Sequence, residues 1–497
     1  MSKIYRNILL ILSLCLFLIG LIFSHPFTLL NSVIILVIHN FLYSLEKFYE
    51  RIIFLAFNAT FFVFLIGRMT VSAFFNYKES SSNLFGLHFS SASTVNHILI
   101  SLYISLIFLY FGYLIIQKIA ISKFNDSYNN RRHLSPYWLG FKAFSKYFFY
   151  FTSVFKLALL LERIKVVGMH GYYETFSTFR SSFPGIFVIL GEIYIVAFFA
   201  FLACKPRKSE VRYPLLIFIL ISILSLFSGT RADFMQNMII LIVYFSIREK
   251  EVFEKFVHDS KTFLVKSGKW LGKKHLLLII VSLPVVLIIL NGIAYLRGGQ
   301  DIHFLSAFEF ILDFFYAQGV SANVIGYTKT LADIIPDKLY SIGPILEYIE
   351  NKIVRQYILG EPEIIGQTVE RAINGYIFSH TISYLILGDL YLAGVGYGSS
   401  FVAELYHDFG YFGIAGGSLI YGMLIKIFYR WLKSNNVILT LITLLMLKTF
   451  FMTPRAGTIS FFIYAFSPTK LLGIGIIMFG ALIVKDLFYK NYKRKIS

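Results

Sequence analysis

The chain has 497 residues, of which 57% are hydrophobic, 18% aromatic and only 15% charged, a balance that excludes an ordinary soluble domain and marks a polytopic membrane protein. Lysine and arginine together number 46 against 27 acidic residues, for a formal net charge of +19. Most of these basic residues sit in short loops between apolar runs, where they orient helices and offer no nucleic-acid surface.

Lys3 and Arg6 precede an apolar stretch from Ile8 to Phe23, and His25, Pro26 and Phe27 follow without a small-residue cleavage site. The segment therefore reads as the first membrane helix and not as a cleaved signal. Runs long enough for a hydrocarbon core of about 30 Å recur at 8–24, 27–45, 52–75, 95–117, 146–162, 184–203, 213–229, 232–247, 275–296, 409–429, 436–452 and 469–488. They predict an all-α fold of about twelve spans. Alternation assigns Lys47 and Arg51, the Lys118–Lys146 loop, Lys205 to Arg212, Arg248–Lys274, Arg430 with Lys433, and the Lys490–Lys495 tail to the inner side, roughly thirty of the 46 basic residues. Both termini are expected in the cytoplasm. Cys15 and Cys204 lie far apart and support neither a disulfide nor a thiolate metal site.

The outer side is unequal. About 110 residues, 297–408, separate the ninth run from the tenth, far more than an ordinary connection. Within this loop Phe304–Gln318 and Ile345–Ile358 mix apolar faces with scattered charge, which predicts short amphipathic helices lying on the membrane or capping the bundle. No internal repeat is visible, so the inverted-repeat signature of many transporters is absent, and the whole chain 1–497 is expected to form a single membrane domain.

Chemistry concentrates in a few outer arginines. Arg231 (SGTRADF) follows the seventh run; it either grips an anion through its planar fork, or snorkels to lipid headgroups or pairs with Asp233. Arg297 (YLRGGQD) closes the ninth run beside Gly298 and Gly299, which either bend the backbone round a ligand or simply stop a helix. Arg455 (TPRAGT) stands past the eleventh run, and Arg68, Arg180, Arg355 and Arg371 complete the outer set. Arg68 falls inside the third run and requires a partner, a carboxylate or a backbone carbonyl, or else water. The acidic surroundings of the long loop suit a discrete phosphate site better than generic attraction to anionic lipid.

The densest local signal is GVGYGSSFVAELYHDFGYFGIAGG at 394–417, where Glu404 and His407 stand three apart and share a face if the piece is helical. They read as an acid–base pair or as two metal ligands. A lone pair without an HExxH or a second cluster is weak support for a metal, so none is expected. His380 (IFSHTISY) is a further candidate base, against the alternative of a buried hydrogen-bonded ring. The chain has no D-x-D pair, P-loop or G-x-S-x-G elbow, so any transfer reaction must use a donor activated without nucleotide.

SGTRADF after an apolar run, YLRGGQD opening one long outer loop, and GYGSSFVAELYHDFGYFGIAGG leading into the next span resemble the Wzy-type O-antigen and capsular polysaccharide polymerases. The likeness covers most of the chain in topology and specific residues only in those three stretches. It implies a membrane glycosyltransferase with a GT-C-like helical core in the bacterial inner membrane, its active site facing the periplasm or exterior. Such enzymes join undecaprenyl-pyrophosphate-linked oligosaccharide repeat units, donor to acceptor, into O-antigen, capsule or exopolysaccharide. The partners implied are those lipid-linked substrates, membrane lipids, a chain-length regulator and a flippase, with no nucleic acid. No cofactor is implied, because arginines neutralise the leaving pyrophosphate in place of a metal. The resemblance assigns that role to Arg231 and Arg297, with Arg455, Arg371, Arg68 and His407 as further substrate-binding groups and Glu404 or His380 as base. Two competing readings are an O-antigen ligase, which differs in its acceptor, and a lipid-linked oligosaccharide flippase, which calls for charge spread along several helices at mid-membrane.

Overall fold

The computed structural model describes residues 3–78, 83–119, 135–170, 180–258 and 306–494, with a few helical positions between 285 and 292. Every regular element among them is helical. Among the described residues ten helices are long and apolar enough to cross a membrane: Ile4–Ile22, Pro26–Glu46, Phe48–Phe75, Ala92–Gln117, Pro136–Met169, Gly185–Ala203, Lys208–Phe227, Phe401–Lys433, Val437–Arg455 and Pro468–Lys485. The protein is thus a polytopic helical membrane protein. Two expected spans lie outside this group. The run at 232–247 belongs to the helix Arg231–His258, whose apolar centre is hemmed by Arg231, Asp233 and Arg248. The run at 275–296, and Arg297 with it, lies outside the described residues apart from those few positions.

Contacts divide the chain into two compact units. The first comprises Met1–Ile119, Leu277–Ile427 and Phe450–Ser460. Its first helix turns sharply into the second, where His25 caps the new helix by accepting from the Thr28 amide and Pro26 occupies a position whose N–H has no helical partner. The core is aromatic: Phe401 stacks on Tyr421 at 4.6 Å, and Phe57 meets Phe450 at 5.1 Å. The helix Phe48–Phe61 continues through a π turn at Phe62–Ile66 into Gly67–Phe75. The helix Phe401–Lys433 begins ahead of the apolar run and is broken at Gly410, whose φ of 62° lies in the region that glycine adopts without strain. Short helices Ala307–Gln318, Ser321–Thr330, Gly343–Glu347 with its π extension Tyr348–Ile358, Val369–Asn374, Phe378–Leu387 and Asp389–Leu392 also belong to this unit. Ser306 and Glu309 form a reciprocal cap on the first of them.

The second unit comprises Ala120–Leu276, Phe428–Thr449 and Phe461–Ser497. The long helix Pro136–His170 packs on both Gly185–Ala203 and Pro468–Arg494. Phe149, Phe198 and Phe218 form its stacked aromatic centre, with ring separations of 5.1 and 4.1 Å.

Candidate functional site

In the first unit Arg68 and Arg455 both engage the C-terminal end of the helix Ala307–Gln318. Arg68 is 7% exposed. Its Nε donates to the Gly86 carbonyl at 2.5 Å and its Nη1 to the Tyr316 carbonyl at 3.3 Å, while the guanidinium lies 3.9 Å above the Tyr316 ring. The buried charge is thus met by carbonyl dipoles and a π face. Gly319 makes this possible, because a Cβ there would overlap the Cβ of Arg68. Arg455 Nη1 donates to Gln318 Oε1 at 2.8 Å, and its guanidinium lies 5.8 Å from the Phe64 ring, one turn before Arg68. Beside them, His88 shares a 2.9 Å hydrogen bond with the Tyr327 hydroxyl and faces the Tyr397 ring at 5.9 Å. Burial, with the Arg68 charge second, holds His88 below the usual imidazole value, so the ring is neutral. Cations flanked by tyrosines and a neutral histidine suit a ligand that is anionic at one end and hydroxylated at the other.

Glu404 lies next to this cluster but is closed. It is 2% exposed, and its oxygens accept from the Ser399 hydroxyl at 2.6 Å, the Thr458 amide at 2.7 Å and the Thr458 hydroxyl at 2.9 Å. Three donors on one carboxylate pin the 453–458 turn that carries Arg455. His407 does lie one turn further along the same helix, yet it engages different neighbours. Its Nδ1 contacts Asp408 at 3.1 Å and its ring packs on Tyr340 at 5.0 Å, while Asp408 accepts from the Tyr340 and Ser341 amides. Arg371 pairs with Glu347 at 2.9 Å, and that carboxylate also takes the Tyr376 amide. His380 Nδ1 meets the Tyr391 hydroxyl at 2.9 Å; burial and, second, the Arg371 charge pull its ring from 6.5 down to about 4. Arg355 bridges Glu361 and Glu370 at 3.3 and 2.8 Å. A cavity of about 290 Å³ lined by Asn96, His97, Lys329 and Tyr411 also belongs to this unit and touches none of these arginines.

Arg231 belongs to the second unit, where it opens the helix Arg231–His258 directly after the Gly229–Thr230 turn. Asp233 pairs with Lys448 at 3.0 Å. Glu192 binds Lys156 at 3.1 Å and Lys470 at 3.4 Å. Lys448 and Glu192 each stand alone in an apolar run, and a charged residue in such a run is the signal that would have singled them out. Among the described residues no group of three His, Cys, Asp or Glu side chains has the arrangement of a metal site.

The profile of the O-antigen polysaccharide polymerase Wzy family matches residues 5–491. The chain belongs to this family. Comparison with curated proteins and with solved structures found no significant match. As a Wzy-family member the chain has the role of an O-antigen polymerase, a glycosyltransferase-like activity on lipid-linked oligosaccharide repeat units in a membrane.

Proposed function

We propose that the chain polymerises undecaprenyl-pyrophosphate-linked repeat units at the outer leaflet, extending O-antigen, capsule or exopolysaccharide. The observation that carries this reading is the family match along nearly the whole chain. The arginines at the outward ends of its helices are consistent with it. Donor transfer breaks the bond between the anomeric carbon and the lipid pyrophosphate, and the developing negative charge needs preorganised cations. We assign that role to Arg231 and Arg297, and keep Arg455, Arg68 and Arg371 as the substrate-binding arginines that the family resemblance implies. A chain-length regulator and a flippase act with the enzyme in the same membrane, whose cytoplasmic face holds both termini.

The test is the glycan profile of a deletion strain and its complementation. A single repeat unit left on the carrier or on lipid A, restored to a ladder by the wild-type chain, supports a polymerase; full-length polymer accumulating on the carrier instead indicates a ligase. Arg231→Lys is expected to lose most polymer at unchanged protein level, since lysine keeps the charge without the planar fork. Loss of such a contact costs about 3–4 kcal/mol in the barrier, on the order of a hundredfold to a thousandfold in rate. A normal ladder from Arg231→Lys removes the pyrophosphate role from that residue.

A further inference from the structure

Polymerisation also needs a group to take the proton of the attacking hydroxyl, and the carboxylate of Glu404 is 2% exposed and already holds three donors. In the second unit Glu192 and Asp233 are by contrast about half exposed. Five helices bring Lys156, Glu192, Asp233, Lys448 and Lys470 together. Asp233 is the third residue of its helix, Lys448 lies in the last turn of Val437–Phe450 and Lys470 is the third residue of Pro468–Arg494, so these three sit at helix ends, while Lys156 and Glu192 lie within Pro136–His170 and Gly185–Ala203. The Tyr464 ring faces the Nζ atoms of Lys448 and Lys470 at 5.4 and 5.3 Å.

Accessibility within this cluster is reversed from the usual pattern of a surface ion pair. Lys448 and Lys470 are 7% and 5% exposed, whereas Glu192 and Asp233 are each 48% exposed. The ammonium groups form the floor and the carboxylates form the open face. Ionised carboxylates facing hydrocarbon would be costly, so that face meets water or a polar ligand. The chemistry of the ligand follows by elimination. Three ammonium groups against two carboxylates leave a positive remainder, which disfavours a metal cation. An anion would meet the two carboxylates first. Neutral hydroxyl donors, as on a sugar, satisfy the free carboxylate lone pairs at no electrostatic cost.

We propose that Asp233 is the catalytic base that accepts the proton of the acceptor sugar's attacking hydroxyl, with Glu192 as a second hydroxyl acceptor and Lys448 as the positioning residue that fixes Asp233. The assignment rests on the polymerase reading above. The hydroxyl oxygen forms the new bond to the donor's anomeric carbon, and its proton passes to the Asp233 carboxylate. The bond from that carbon to the pyrophosphate oxygen breaks with its electron pair left on the oxygen. Arg231 stands two residues before Asp233 at the start of the same helix.

The test uses the full chain in membranes supplied with lipid-linked repeat units. Asp233→Asn is expected to lower kcat on the order of a hundredfold to ten-thousandfold with little change in KM. Because that variant leaves Lys448 unpaired, the double variant Asp233→Asn with Lys448→Met removes both charges together. It is expected to recover the wild-type unfolding temperature and to stay inactive. Lys448→Arg, which keeps the ion pair, is expected to retain most of the activity that Lys448→Met loses. Elongation by the double variant at the wild-type rate overturns the base assignment and leaves the polymerase reading standing. Failure of the wild-type chain to elongate overturns the polymerase reading, and the base assignment with it.

Discussion

Glu404 in the first unit and Asp233 in the second are carboxylates held in opposite ways. Glu404 is buried among neutral donors, a backbone amide and two hydroxyls. Asp233 is held from below by one ammonium and stays open above. Hydrogen-bond donors that surround a carboxylate turn it into a fastener, while a buried counter-ion on one side leaves it available for chemistry. The same contrast separates the cations. Arg68 is met by carbonyls and a ring, whereas Lys448 is met by a formal negative charge and a ring.

The sharpest way to break this comparison is to open the fastener. Glu404→Ala strands the Thr458 amide and two hydroxyls in a buried site and is expected to cost about 3–5 kcal/mol of stability. Glu404→Gln keeps the network, because its amide oxygen accepts from Thr458 and its NH2 donates to Ser399; the expected change is within about 1 kcal/mol. Thermal unfolding of the detergent-purified chain compares the two, and equal losses would mean the charge, not the hydrogen bonding, holds the turn.

A smaller and asymmetric effect is expected in the second unit. Asp233→Asn leaves the buried Lys448 ammonium without its counter-ion and is expected to cost about 2 kcal/mol, discounted for the exposure of the lost carboxylate. Lys448→Met leaves a carboxylate that water reaches and should cost less than about 1 kcal/mol. The order of the two unfolding temperatures decides it. If Lys448→Met were the more damaging, Asp233 would be the enclosed partner.

A pH dependence is expected at His380. The folded ring titrates near 4 and the unfolded ring near 6.5, so the unfolded chain binds the extra proton between those values. The stability contribution is full above about 6.5 and is lost as pH falls towards about 4. His380→Gln should flatten the decline in unfolding temperature between about pH 7 and pH 5. A decline of unchanged slope would place the titrating group elsewhere.

Much of the fold was legible because it is written locally. Apolar runs such as 95–117 and 184–203 declare their helices by length and composition alone, and basic loops punctuate them. Arg68 announced a need for a partner by standing in such a run, but the partner comes from carbonyls at Gly86 and Tyr316, and carbonyls carry no sequence mark. Asp233 lies beside Arg231 in sequence, but the ammonium that it meets belongs to Lys448, 215 positions away, and no local pattern points to it. Glu404 and His407 share a helix as their spacing suggested, while their neighbours are set by Thr458 and Tyr340, which only tertiary packing supplies.

The π turn at Phe62–Ile66 gives Arg68 its bearing. One residue more or less in a helix swings everything beyond it by about 100°, so the aim of this guanidinium is stored in a count and not in a residue type. A one-residue deletion within Phe62–Ile66 would preserve Arg68, Gly86, Tyr316 and Gly319 and still turn the arginine away from its carbonyls. Spacing along this helix is therefore information of its own, separate from the identity of any residue it carries.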